Sequence, residues 1–194
     1  MNLKLVALVA LLYVFFLKVL MPLERFPRYF EWLPTFTPVY DNRELNVVKR
    51  EIRKRTPDDE RFFLQTDASV VHAFAKYAIS EQEIVDMKRV ITHPLCMIWL
   101  YLLKYFVNRP RPYQLSPHID CLKSSTGNTP AYPAGHAYQA HLLAAYLGRL
   151  RPHRAALYDS VARRCDLVRV RAGIHYPSDG RLSRKLVKFF MAFI

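Results

Sequence analysis

The longest apolar run lies at the N-terminus, where Leu3 to Leu23 reads LKLVALVALLYVFFLKVLMPL and only Lys4, Lys18 and Pro22 interrupt it. At about 1.5 Å per residue such a helix just crosses a hydrocarbon layer of about 30 Å, provided its lysines reach out to the two interfaces. Residues 1–23 are therefore expected to form a single-pass membrane anchor. The alternative is a signal peptide, which would leave a secreted or periplasmic protein, although no small-x-small cleavage site precedes Pro22. Lys18, Arg25 and Arg28 after the run outnumber Lys4 before it, which leans toward a cytosolic domain and leaves the side of the membrane open.

The pattern then changes. Residues 24–55 are expected to be a connector, its first part rich in proline and aromatics without a helical period. Tyr29, Phe30 and Trp32 there either sit at headgroup level or cover the core. Its second part, ELNVVKREIRKR at 44–55, predicts a strongly basic helix whose face is either solvated or in touch with anionic lipid.

From position 56 onward, helix starts follow one another. Thr56 is an N-cap candidate before Pro57, with acids at 58–60 in the first turn. Ser80 with Glu83 reads as a capping box opening a long helix to about residue 106, kinked at Pro94. In Asn108-Arg109-Pro110-Arg111-Pro112 each proline pushes its predecessor out of helical geometry. The apolar stretch Leu95 to Leu103 is too short to predict a second span. A further helix should start at His136, with Ala140, Leu143, Leu147 and Leu150 on one face, another should cover about 153–172, and the last should run from Pro177 to Ile194. No segment alternates in the manner of a strand, so residues 56–194 are expected to be all-α, a bundle of about six or seven helices.

Composition narrows the class. The 194 residues are 52% apolar and 23% charged with 5 Gly, and a mean hydropathy of −0.03 excludes a chain made mostly of membrane spans. Lys and Arg number 29 against 16 Asp and Glu, a formal charge of +13. Such an excess implies an anionic partner, whether a phosphorylated small molecule, a lipid surface or a nucleic acid. Cys96, Cys121 and Cys165 lack the spacing of a zinc site or a disulfide framework, and Cys96 and Cys165 read as core thiols.

Three cations fall where helical spacing would bury them. Lys104 shares a face with Met97, Leu100 and Tyr101, so its ammonium needs an anion unless it snorkels at the helix end. Arg111 stands on a proline-fixed backbone suited to bidentate oxyanion binding, though alone it would be an exposed loop arginine. Arg169 shares a face with Ala162, Cys165 and Ala172, small residues that leave room for a buried guanidinium and its partner, while Arg163, Arg164 and Arg171 are expected in solvent. Tyr132-Pro133-Ala134-Gly135-His136 is a tight turn into a helix N-terminus, where N–H groups and the helix dipole favour an anion. His136 there either gives a proton to a group leaving that anion or merely caps the turn. In His175-Tyr176-Pro177-Ser178-Asp179, Asp179 falls in the first turn of the last helix, near enough to hold the His175 imidazole in one tautomer. A lone pair of that kind is more often structural.

In chain order these residues form Lys104-x6-Arg111-Pro112, Pro133-Ala134-Gly135-His136 and Arg169-x5-His175-x3-Asp179. The combination resembles the type 2 phosphatidic acid phosphatase superfamily, whose motifs are K-x6-R-P, P-S-G-H and S-R-x5-H-x3-D and whose members include lipid phosphatases, nonspecific acid phosphatases and vanadium haloperoxidases. The resemblance covers residues 80–190. It implies a helical-bundle fold and a phosphatase without metal or cofactor, acting on a lipid phosphate such as phosphatidate or on an isoprenyl diphosphate. By the same resemblance, Lys104, Arg111, Arg169 and the Gly135 amide hold the phosphoryl oxygens. His175, oriented by Asp179, attacks phosphorus, and His136 protonates the leaving group and then activates water. Pro133 and Ala134 lie behind them in the turn.

Two family serines are replaced here by Ala134 and Val168. The first of those hydroxyls donates to phosphate, and its loss weakens binding by about 1.5–3 kcal/mol, so a slower but active enzyme is expected. Three alternatives remain: a soluble-type acid phosphatase, a vanadate haloperoxidase, or a non-enzymatic basic protein binding a membrane or nucleic acid. The surface charge next to an expected anchor fits an anionic membrane better than nucleic acid, which is not an expected partner.

Overall fold

Four helices begin at a proline, Pro57, Pro94, Pro112 and Pro177, where the missing N–H costs nothing and the fixed φ already suits a helix. The structure is a computed structural model that describes residues 42–124 and 129–191. The expected anchor and the aromatic part of the connector lie outside the described residues. In chain order the helices are α1 (Asn42–Ile52), α2 (Pro57–Asp67), α3 (Val71–Ala75), α4 (Glu81–Ile91), α5 (Pro94–Val107), α6 (Pro112–Leu115), α7 (Gly135–Leu150), α8 (Ala155–Arg171) and α9 (Pro177–Phe190), with a 3-10 turn at Pro152–Arg154 before α8. There is no strand among the described residues, and the fold is all-α. None of these helices is long and apolar enough to cross a membrane.

Local chemistry explains the boundaries. Thr56 Oγ1 accepts from Asp59 N at 3.2 Å and Asp59 Oδ2 accepts from Thr56 N at 3.0 Å, a complete capping box at the head of α2. At α4 only half of the expected box forms: Ser80 Oγ accepts from Glu83 N, but Glu83 turns away to accept from Ile79 N at 2.8 Å and to pair with Arg151. The single long helix expected from Ser80 is two helices. Pro94 holds His93 at ψ 126°, outside the helical region, so the chain breaks between Ile91 and Pro94 where a kink was expected. On α7, Ala140, Leu143 and Leu147 are buried as expected, whereas Leu150 is 54% exposed because the helix ends there and the chain swings into the 3-10 turn.

The core sits on both sides of α7. One cluster joins it to α3, α4 and α8 through Phe74, Met87, Leu143, Leu147, Tyr158 and Cys165. A second joins it to α5 and α9 through Cys96, Leu100, Tyr138, Leu142 and Val187. Each such large side chain contributes about 1.5–3 kcal/mol when fully buried. Residues 42–52, grouped above with the connector, pack into this body through the fully buried Val48. Arg171 is not in solvent: it pairs with Asp59 at 2.9 Å and Glu51 at 3.4 Å, tying the end of α8 to α2 and α1.

One turn brings distant motif members together. After α8, Gly173 takes φ +74°, a left-handed conformation that favours glycine, and its N–H bonds Val170 O at 3.0 Å while Ile174 N bonds Arg169 O at 3.2 Å. A Cβ at Gly173 would also stand 2.9 Å from Ile119 Cγ2. This reversal folds His175 back toward Arg169.

Candidate active site

The C-terminal ends of α5 and α8, the N-terminal ends of α7 and α9, and the Arg-Pro-Arg-Pro link after α5 meet at one place. Lys104, in the last turn of α5, is 3% exposed and donates to Pro130 O at 2.6 Å. Burial, then Arg111, holds its ammonium well below the usual lysine range, with Asp179 opposing. Asn108 ends α5 in the left-handed region at φ 49°, which asparagine tolerates, and the two prolines then extend the link. Arg111 is buried there, donating from Nε to Thr129 O at 2.9 Å and from Nη1 to Ile174 O at 3.0 Å. Arg169 is fully buried on α8, its Nη2 donating to Thr66 O at 2.8 Å and its guanidinium lying over Phe63. Burial lowers its pKa to about 10.

The oxygens that receive these three cations are uncharged carbonyls and hydroxyls. None of the ion pairs among the described residues includes Lys104, Arg111 or Arg169. Buried cations without a carboxylate are costly, and a cluster of three favours an incoming anion of more than one charge.

His175 and Asp179 are both buried, with Nδ1 3.2 Å from Asp179 Oδ2. On its other side the imidazole presents Nε2 to Arg111 Nη1 at 3.3 Å. A carboxylate accepts and a guanidinium donates, so Nδ1 carries the hydrogen and Nε2 keeps its lone pair. Burial, followed by Arg111, Lys104 and Arg169, keeps His175 neutral by driving its pKa well below the usual histidine value. Asp179 is pushed up by burial and held against that rise by Arg109, the Tyr176 N–H, Lys104 and Arg111.

His136 lies in the first turn of α7 with Nε2 2.9 Å from Asp67 O. A carbonyl can only accept, so Nε2 is protonated and Nδ1 is the nitrogen left for proton transfer. Burial, then Arg169, pushes its pKa down to about 3. Gly135 stands against the lysine stem: a Cβ there would lie 3.7 Å from Lys104 Cε. Ala134 is the buried N-cap residue of α7 and supplies no side-chain cap, and Pro133 beside it is buried too. The Ser183 hydroxyl lies 2.9 Å from Ala134 O and 2.8 Å from Asp179 O, fastening the turn to α9. Val168 is buried on α8.

All seven residues singled out in the sequence for phosphate handling and proton transfer lie around this one place. Sequence reasoning missed others. Thr66 and Asp67, at the end of α2, hold Arg169 and His136 through main-chain carbonyls, and Thr129 and Pro130 hold Arg111 and Lys104 in the same way. Arg109 donates to Asp179 Oδ1 at 2.9 Å and to Glu44 Oε2 at 2.7 Å. The carbonyls leave no trace in a sequence. Arg109 did carry a signal, since the proline argument made for Arg111 applies equally to the arginine two residues earlier. Among the described residues no group of His, Cys, Asp and Glu could hold a metal ion.

The family model of the PAP2 superfamily matches residues 89–185. Among solved structures, the chain is similar to the first transmembrane PAP2 type phosphatidylglycerolphosphate phosphatase from Bacillus subtilis, with 17% identity and a TM-score of 0.49 over 98% of this chain and 96% of that one. No curated protein matches.

Proposed function

The chain belongs to the PAP2 superfamily, and from that premise we propose that it is a metal-independent phosphatase that cleaves phosphomonoesters through a phosphohistidine on His175. Phosphatidate-like lipid phosphates and isoprenyl diphosphates are the substrates it would meet at a membrane held by residues 1–23.

The observation that carries the reading is the buried trio Lys104, Arg111 and Arg169, hydrogen-bonded to uncharged oxygens, with Arg111 Nη1 3.3 Å from His175 Nε2. A phosphate dianion offsets their charge, and preorganised donors in a water-poor site stabilise the spread charge of phosphoryl transfer. His175 Nε2 forms a bond to phosphorus as the bond from phosphorus to the leaving oxygen breaks. Asp179 at Nδ1 supports the positive charge that develops on the ring. His136 gives its Nδ1 proton to the leaving alkoxide. For that step it must first be charged; burial and, after it, Arg169 lower its pKa, and the bound dianion favours the charged form by offsetting Arg169. In the second half His136 takes a proton from water, the water oxygen bonds to phosphorus, and the phosphorus–nitrogen bond breaks to release orthophosphate.

The test is phosphate release in EDTA from a panel of p-nitrophenyl phosphate, phosphatidate vesicles and an isoprenyl diphosphate. Wild type should turn over at least one, and His175→Ala none. Wild type inert on the whole panel overturns the reading. Release only from the soluble ester would move the substrate class away from lipids.

A further inference from the structure

Arg109 occupies a position that none of the three motifs names, yet it is 5% exposed and placed between two carboxylates. Its Nη1 donates to Asp179 Oδ1 at 2.9 Å and to Ser178 Oγ at 2.7 Å, its Nη2 donates to Glu44 Oε2 at 2.7 Å, and its guanidinium lies 3.8 Å from the Tyr176 ring centroid. Glu44 comes from the first turn of α1, outside the stretch matched by the family model. It also receives the Ser178 N–H at 2.8 Å and the Ser178 hydroxyl at 2.8 Å, so it serves the N-terminal turn of α9 from another helix. The carboxylate of Asp179 is thereby held on both oxygens: Oδ2 by His175 and the Tyr176 N–H, Oδ1 by Arg109.

The extended link after α5 adds a second feature. Arg109 and Arg111 are two residues apart, and in extended backbone side chains at that spacing share a side. One reaches Asp179 and the other reaches His175 Nε2, so the two arginines grip opposite ends of the same pair.

We propose that Arg109 and Glu44 are positioning residues for the reaction: Arg109 fixes the Asp179 carboxylate, and Glu44 fixes Arg109 and balances its charge. Within the buried Glu44–Arg109–Asp179 chain two carboxylates face one guanidinium, with the exposed Arg181 reaching Glu44 Oε1 from outside at 3.5 Å, and this balance supports a ring that becomes positive as phosphorus is attacked. Without the Glu44 charge, Arg109 neutralises Asp179 and that support weakens. The proposal makes helix α1 part of the catalytic apparatus as well as of the packing. It rests on the reading of His175 and Asp179 given above, so its test includes a measurement that needs no turnover.

The experiment pairs steady-state kinetics on the best substrate of the panel with 15N-histidine NMR of the ring tautomer of His175, in wild type, Glu44→Gln, Glu44→Asp and Arg109→Met. Glu44→Gln keeps the size of the side chain and should fold. It should lower kcat by about tenfold, as loss of outer-shell partners does elsewhere, with KM changed less than about twofold, and Glu44→Asp should recover part of the loss. Wild-type His175 should be held as the Nδ1–H tautomer, and Arg109→Met should mix the two tautomers. A Glu44→Gln protein with kcat within about twofold of wild type and an unchanged His175 spectrum overturns the proposal. Should wild type prove inert, the proposed function falls while the tautomer spectra still decide this point: an unmixed Nδ1–H tautomer in a folded Arg109→Met protein overturns it.

Discussion

Replacing Lys104 by methionine should lower activity about 10²- to 10³-fold and leave the protein as stable as before or more so. The side chain is 3% exposed, and the carbonyl of Pro130 is its hydrogen-bond partner. Methionine fills nearly the same volume. It removes a cation disfavoured by burial and then by Arg111; where whole buried ion pairs are replaced by apolar groups of similar size the gain is about 1–4 kcal/mol, which sets the scale. Against this stands the Pro130 carbonyl left without its donor, a loss of about 1–3 kcal/mol. The balance is a gain of about 1 kcal/mol, or a rise in melting temperature of about 2–4 °C for a chain of this length. Catalysis responds in the opposite direction, because one missing donor to the developing charge lowers kcat about 10²- to 10³-fold. Thermal melting by circular dichroism and phosphate release measure the two effects on one preparation. Orthophosphate sharpens the comparison: at about 100 times its Kd it should stabilise wild type by about 2.7 kcal/mol and the variant by much less. A variant that melts more than about 5 °C lower, or that keeps activity within about tenfold of wild type, refutes the reasoning about an uncompensated cation cluster.

The N-cap position of α7 and a buried histidine away from the site give two further expectations. Ala134→Ser should restore both a cap, stabilising by about 0.5–2 kcal/mol, and a donor to phosphate, raising kcat by about tenfold; stability without faster turnover would mean that another group already serves that oxygen. His141, 4% exposed on α7 with no partner for Nε2 among the described residues, has its pKa lowered to about 4 by burial and then Arg184. Between about pH 6.5 and that value the unfolded chain holds a proton that the folded chain does not, so stability falls as pH falls through this window. Asp166, raised to about 6 by burial, drifts the other way, but it is common to both proteins when His141→Leu is compared with wild type. Urea unfolding should therefore show wild type losing about 3 kcal/mol more than His141→Leu between pH 7 and pH 4, and equal losses would contradict the assignment.

Helix starts were legible because they are written in side chains and prolines. Thr56-Pro57, Ser80, Pro94 and Pro177 each mark an observed start. A proline pattern alone does not say whether the helix resumes along the same axis, so Pro94 predicts a kink where the chain in fact breaks at His93. The three buried cations were legible for a similar reason: Lys104, Arg111 and Arg169 are charges on apolar or rigid positions, an anomaly visible without coordinates. What holds them was not. Thr66, Asp67, Thr129 and Pro130 act through main-chain oxygens, which every residue has, and through closures such as that between Arg169 and Thr66, 103 residues apart. In the sequence Glu44 is one of two acids in a basic helix, and only the fold brings it to Arg109.

The proposed mechanism stands or falls on a covalent intermediate. Wild type mixed in EDTA with a 32P-labelled monoester and quenched in base within milliseconds should carry acid-labile, base-stable label on the peptide containing His175, while His136→Ala, slowed in the second half, should accumulate more of it when the ester has a good leaving group. His175→Ala should carry none. Phosphate release by wild type with no label at His175, or label that persists in His175→Ala, would contradict the account.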